Sequence, residues 1–222
     1  YNAVSYLLRC SMRTLSAEQR RRQQRADARR AILDATEALL VEEGYESFSI
    51  RRLVERCGYT APTIYHHFGD KPGLLDALLE EVFQKLVRSI RRVPESDDPI
   101  EYLRALARSF VRFGLKNPTH YRLLTQPRDP ASQVPRSAEE ARELLERPLL
   151  DLWEVGRLRS GDARSASQSF WALADGLIHL QSCRPEHDWS KSLVDDSIGA
   201  LLRGLIVPPR RSKRARRKRE GR

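Results

Sequence analysis

A chain of 222 residues, 40% hydrophobic and 32% charged, is long enough for one generous domain or two small ones and too apolar for a disordered tail. No run approaches the roughly 18 apolar residues that cross a bilayer, and the first ten residues, YNAVSYLLRC, lack the features of an export signal, so membrane-spanning and exported classes are set aside. Three cysteines (Cys10, Cys57 and Cys183) are odd in number and without metal-ligand spacing, which argues against a disulfide framework and suits a reducing cytoplasm. The net charge of +10 sits at the ends. Residues 1–30 carry eight arginines against Glu18 and Asp27, and residues 210–222 carry nine basic residues against Glu220, which leaves the span between at −4. Two basic extensions on a mildly acidic globule suggest contact with a polyanion.

In chain order, residues 1–26 are expected to form a basic, flexible arm, with 1–11 read as an added or upstream segment because the only methionine is Met12. The first helix is ADARRAILDATEALLVEEG, where Ala31, Ile32, Ala35, Ala38 and Leu39 recur with a period of 3.6, Glu42 and Glu43 follow a turn on, and Gly44 ends the run. In SIRRLVERCG, Ser49 can cap a second helix, Ile50, Leu53 and Val54 face inward, and Gly58 closes it. A third begins at Thr60 with Pro62 in its first turn, where a missing N–H costs nothing. Three helices in about 40 residues, the last two joined by CGY, read as a helix-turn-helix.

The third helix, APTIYHHF, sets Ile64 and Phe68 four apart toward a core and leaves Ala61, Pro62, Thr63, Tyr65, His66 and His67 on its outer side. Small residues permit close approach to base edges, Thr63 offers a hydroxyl and a methyl, and Tyr65 and the histidines offer hydrogen bonds to bases or phosphates. The same residues could instead be plain polar surface. A metal is not expected, because adjacent histidines on a helix point about 100° apart and no third ligand has a zinc-like spacing.

The segment AILDATEALLVEEGYESFSIRRLVERCGYTAPTIYHHFGDKPGLLDALL resembles the DNA-binding domain of the tetracycline-repressor (TetR) family in its glycine after helix one, its short second helix ending at Gly58, and Tyr65, Phe68 and Lys71. The resemblance implies that Ala61, Pro62 and Thr63 meet bases in the major groove, and that Tyr65 and His66 contact phosphates or bases. It further implies that Ser49, Arg51 and Lys71 meet phosphates. Residues 31–72 sum to −3, so the arginines between Arg20 and Arg30 are expected to supply much of the phosphate attraction.

Beyond this domain, helix four carries an inward stripe of Leu74, Leu75, Leu78, Val82, Phe83, Leu86 and Ile90. PESDDP breaks the chain, then come a helix over IEYLRALARSFVRFGLKNP, a short one over THYRLLTQP and a proline-rich loop over 127–136. A helix bent at Pro148 and two final helices, ARSASQSFWALADGLIHLQSC and SLVDDSIGALLRGLIV, complete an all-α chain. FVRFGLKNPTHYRLL and FWALADGLIHL resemble the WHG-type regulatory subgroup of the family, with Trp171 and Gly176 in place but Asp175 where the histidine is expected. The expected organisation is a helix-turn-helix domain over 27–72, a larger helical regulatory and dimerisation domain over 73–207, and a basic, disordered tail over 208–222.

The resemblance implies a bacterial, cytoplasmic, nucleoid-associated repressor that leaves a palindromic double-stranded DNA operator when a small-molecule effector binds. It also implies a homodimer through the last two helices, whose Ala172, Ala174, Gly176, Gly199 and Gly204 allow close approach. Candidate effector-pocket residues are Phe110, Phe113, Tyr121, Trp153, Trp171 and Asp175, although aromatic residues at this spacing also serve simply as core. An unpaired Asp175 in a cavity would favour a cationic or hydrogen-bond-donating effector. The chain has no Gly-rich phosphate loop, zinc motif or nucleophile elbow, so neither catalytic residues nor a cofactor is expected. The alternative is a nonspecific or architectural nucleic-acid binder that uses its basic ends.

Overall fold

The computed structural model describes residues 16–125, 134–159 and 161–207. Residues 1–15, most of the loop read over 127–136, and the basic segment 208–222 lie outside them. Nine helices run through the described residues: α1 Ala17–Glu43, α2 Ile50–Cys57, α3 Ala61–Phe68, α4 Lys71–Ile90, α5 Pro99–Lys116, α6 Pro118–Thr125, α7 Arg136–Glu154, α8 Ala163–Cys183 and α9 Leu193–Leu205. The described residues hold no strand, only an isolated bridge between Leu158 and Ile206. Two compact units divide between Leu78 and Leu79, inside α4, whereas the sequence placed the boundary at 72/73.

In the first unit, α1 starts earlier than the arm reading allows, and residues 17–26 are helical. Ser16 and Gln19 form a capping box: the Gln19 N–H donates to Ser16 Oγ at 3.1 Å, and the Ser16 N–H donates to Gln19 Oε1 at 2.8 Å. These bonds satisfy donors that a helix start otherwise leaves free. The buried stripe of α1 is Ala28, Ile32, Leu33, Thr36, Leu39 and Leu40. Of the stripe read from the sequence, Ile32 and Leu39 are buried, whereas Ala31 is exposed and Ala35 and Ala38 are partly so; the buried face is rotated toward Leu33 and Leu40, because leucine and isoleucine bury more apolar area than alanine. Thr36 is buried with its hydroxyl donating to the Ile32 carbonyl at 2.8 Å.

In the second unit, three apolar clusters tie the helices together. One joins Leu103 and Ala107 of α5, Leu149 and Leu152 of α7, Ala163 and Ala166 of α8, and Ile198 and Leu202 of α9, with Ile206. A second joins Leu86, Val87 and Ile90 of α4 to Leu106 and Phe113 of α5 and to Ala141. The third joins Val111 and Tyr121 to Ala174, Leu177 and Ile178 of α8. Where α5 crosses α8, a Cβ on Gly114 would stand 2.5 Å from Ile178 Cδ1, so only glycine allows this approach.

Candidate nucleic-acid interface

Helix α3 is set up by local chemistry at both ends. Gly58 sits in the left-handed region at φ 72°, and its N–H closes α2 on the Val54 carbonyl at 3.0 Å. Two residues on, Thr60 caps α3 by accepting the Thr63 N–H at 3.4 Å, with Pro62 in the first turn. Ile64 is fully buried and anchors the inner face. Phe68, expected to face the core as well, is only half-buried, and the Arg29 guanidinium lies 5.3 Å from its ring centre.

This leaves Pro62, Tyr65 and His66 exposed and Ala61, Thr63 and His67 partly so. The Thr63 hydroxyl is 2.9 Å from that of Thr60, so the cap already orients it. The other expected contacts fall into two kinds. Arg51 is open to solvent, 4.0 Å from Glu55. Ser49 is occupied as the α2 cap, accepting the Arg52 N–H at 3.4 Å. Lys71 braces the unit: its ammonium donates to the Phe48 carbonyl at 2.8 Å and lies 5.3 Å from the Phe48 ring centre. Two of its three donors stay open to a phosphate oxygen.

The arginines of α2 divide likewise. Arg56 forms a two-point pair with Glu42 at 2.6 and 2.9 Å, and Arg52 pairs with Glu43, which clamps α2 to the end of α1. The bond to Arg56 holds the Glu42 carboxyl below the usual carboxylate range. Arg25 and Arg29 act on His67, whose pKa falls below its ordinary 6.5 through burial first, then Arg25, the neighbouring His66 and Arg29. The positive field of α1 therefore sits beside the C-terminal end of α3. Sequence reasoning placed Arg25 in an arm and Arg29 at the start of the first helix, whereas both lie within α1.

Among the expected pocket residues, Phe110 and Trp171 line one small cavity of about 30 Å³ together with Leu145, Leu149, Phe170 and Ala174. Phe113 is buried in the cluster with Leu86 and Ile90. Trp153 is 50% exposed and does not line the cavity. Asp175 is exposed and is not an unpaired carboxylate: buried Tyr121 donates its hydroxyl to Asp175 Oδ1 at 2.7 Å and packs edge-on against Phe110. Burial and this carboxylate push the Tyr121 phenol well above its ordinary pKa.

Glu80 was missed, and only the fold reveals it. Its carboxylate accepts the Ser137 hydroxyl at 2.6 Å and the Ser137 N–H at 3.2 Å, which fastens α4 to the start of α7. Burial alone would raise its pKa, but the bonds from Ser137 and Gln84 outweigh it and the value is lowered. Just past the end of α4, Arg91 pairs with Glu140 of α7 at 2.6 Å. Of the small residues in the last two helices, Gly176 and Gly204 have open space at the Cβ position and Ala172 is exposed. Ala174 is buried, and Gly199 lies under Arg104.

Residues 32–78 match the family model of bacterial regulatory proteins, tetR family, and residues 103–205 match a tetracyclin repressor-like C-terminal domain. The chain belongs to the TetR family. Proteins similar to it include the HTH-type transcriptional repressor AcnR of Corynebacterium efficiens, 36% identical over 29% of this chain and 34% of that protein. The tetracycline repressor protein class C of Escherichia coli is 32% identical over 52% of each chain. The matches thus span about a third to a half of these curated relatives. Among solved structures, a TetR family regulator from Marinobacter aquaeolei VT8 superposes with a TM-score of 0.70 at 17% identity, covering 84% of this chain and all of that one. NalD, the secondary repressor of the MexAB-OprM multidrug efflux pump in Pseudomonas aeruginosa, gives 0.58 at 25% identity over 82% and 98%. The TetR fold thus holds over most of this chain. No described helix is long and apolar enough to cross a membrane.

Proposed function

We propose that this chain is a transcriptional repressor that, as a homodimer through α8 and α9, sets two copies of α3 on a near-palindromic operator and is released by a small-molecule effector. The observation that supports this best is the outer face of α3. A helix of eight residues, capped at Thr60 and anchored by one fully buried isoleucine, presents Pro62, Tyr65 and His66 to solvent. A short, rigid, polar helix next to a field of arginines suits the major groove and its phosphate walls. Ala61, Pro62 and Thr63 then meet base edges, with Tyr65, His66, Ser49, Arg51 and Lys71 on phosphates or nearby bases. The open faces at Ala172, Gly176 and Gly204 support pairing of α8 and α9 with their copies.

The effector site is the cavity between Phe110 and Trp171. At about 30 Å³ it holds one or two waters, against roughly 300–1,000 Å³ for a drug-sized pocket. Effector entry therefore moves Phe170 and the half-exposed Trp171 aside. The effector is largely apolar, because apolar side chains make up the cavity wall apart from the buried Ser167, and the nearby carboxylate of Asp175 is already bonded to Tyr121. Displacement of α7 reaches α4 through Glu80 and Arg91, which gives the coupling between effector and DNA a physical route. The protein acts by binding and not by catalysis, in the bacterial cytoplasm on the nucleoid.

The test is selection of bound duplexes from a randomised pool by the full chain, with a Tyr65→Ala, His66→Ala variant in parallel. Both residues are exposed, so the variant keeps its fold. A palindromic motif that disappears in the variant is expected. Equal, motif-free binding by both proteins would reject operator recognition in favour of a nonspecific DNA coat.

A further inference from the structure

The regulatory unit carries a second, larger concavity of about 770 Å³ between the α4–α5 connection and α7. Six carboxylates line it, those of Glu95, Asp97, Glu140, Glu143, Glu146 and Asp151, against the guanidinium groups of Arg91 and Arg147. Glu140, Glu146 and Asp151 are paired with Arg91, Arg142 and Arg147. Glu95, Asp97 and Glu143 are exposed and make no ion pair among the described residues. The apolar part of the lining is Pro99, Tyr102, Leu144, Pro148 and Leu150. Pro148 has no N–H, so the Leu144 carbonyl loses its helical i+4 donor where both residues line the groove. Spare carboxylates, a carbonyl without its helical i+4 donor and an aromatic ring together match an arginine side chain. Its stem lies on apolar surface, its plane stacks on a ring, and its fork donates to carboxylates.

The chain itself contains such a ligand. Residues 208–222, PPRRSKRARRKREGR, hold seven arginines and two lysines against Glu220. The segment begins right after Val207, at the same end of the unit as the groove. Ile206 packs in the cluster that contains Leu149, Leu152 and Leu103, and the sequence neighbours of those residues, Pro148, Leu150, Asp151 and Tyr102, line the groove. Fifteen extended residues reach about 50 Å. We infer that residues 208–222 dock in the acidic groove of their own regulatory unit. Their arginines are then withheld from DNA until a stronger polyanion displaces them, so the basic tail is screened rather than permanently available for nonspecific contact.

Carbodiimide coupling of the full chain at low salt tests this, because it joins a carboxylate to an amine only in contact, and Lys213 and Lys218 supply amines within the tail. Coupled peptides are located by mass spectrometry, with heavy- and light-labelled chains mixed to separate intramolecular from intermolecular links. The expected result is links from Lys213 or Lys218 to Glu95, Asp97 or Glu143 within one chain. They should be at least about 5-fold more frequent per carboxylate than links to exposed Glu55, Glu186 or Asp188, and lost at about 0.5 M salt, where screening shortens to a few ångströms. The Glu95→Gln, Asp97→Asn, Glu143→Gln variant, with its fold checked by circular dichroism, should lose them as well. Tail links spread evenly over all exposed acids, tail links absent from the groove, or groove links found only between heavy and light chains would each overturn the inference. The outcome is independent of operator recognition.

Discussion

Replacing Arg21 and Arg25 by glutamine tests whether the early start of α1 matters for DNA binding. Both side chains are exposed, and four residues apart they share one helix face; Arg25 is near enough to His67 to depress its pKa. Arg29 stays, because its contact with the Phe68 ring makes it partly structural. Each phosphate that a basic side chain neutralises adds about 0.9 to the slope of log K against log salt, so losing two should flatten that slope by about 1.8 per half-site. Over a fourfold rise in salt, the affinity gap between variant and parent should therefore narrow by about 10-fold per half-site. The assay is fluorescence anisotropy on a labelled duplex at about 0.05 to 0.2 M salt, with helicity checked by circular dichroism. Parallel lines for variant and parent would mean that this turn of α1 lies off the DNA, and would leave the phosphate contacts to other basic residues such as Arg51 of α2.

Further outcomes follow from the packing. Gly114→Ala should destabilise the regulatory unit by a net of about 1–2 kcal/mol, because overpacking against Ile178 outweighs the helix-propensity gain. Adding Ile178→Val, which removes the atom at 2.5 Å, should recover part of it, and strict additivity in urea unfolding would contradict the described crossing of α5 and α8. Tyr121→Phe should cost about 1 kcal/mol by removing the bond to Asp175. Because the folded phenol pKa is raised, that contribution is complete below the ordinary 10.0 and is lost as pH climbs from there toward the folded value. A tyrosine that resists ionisation in absorbance titration of the parent and is missing in the variant would confirm it. His67 behaves in the opposite sense: its folded pKa is depressed, so the DNA-binding unit should be fully stable above pH 6.5 and weaken as pH falls below it. His67→Gln should flatten that dependence, and an unchanged thermal-melting profile would remove His67 as its cause.

What could be read from the sequence depended on how far apart the interacting residues lie. Ser49, Gly58, Thr60 and Pro62 act on neighbours within four residues, so the caps and limits of α2 and α3 follow from side-chain chemistry alone. The start of α1 was equally local, since Ser16 and Gln19 form a recognisable box, but the run of arginines behind it argued for an arm. The period of α1 was read correctly, with Ile32 and Leu39 inward, but the stripe leaned toward Ala31, Ala35 and Ala38, because alanines fit either side of a stripe while Leu33 and Leu40 do not. Asp175 and Tyr121 are 54 residues apart, Glu80 and Ser137 57 apart, and neither pair leaves a pattern in one sequence. The pocket residues were placed by type, and type does not distinguish Phe113, packed into the core, from Trp171, beside a cavity.

The brace at Lys71 has a consequence for chemical modification. It is the sole lysine in residues 1–78, so any acylation of amines in the DNA-binding unit is confined to one side chain. An acyl group there would cancel the charge over the Phe48 ring and leave a single N–H where three served before. The tie to the Phe48 carbonyl and the reach toward a phosphate would then compete for one donor. A lysine-directed reagent thus finds in this unit either a slow, shielded amine or, once it reacts, a single event that loosens the join between α4 and the loop before α2.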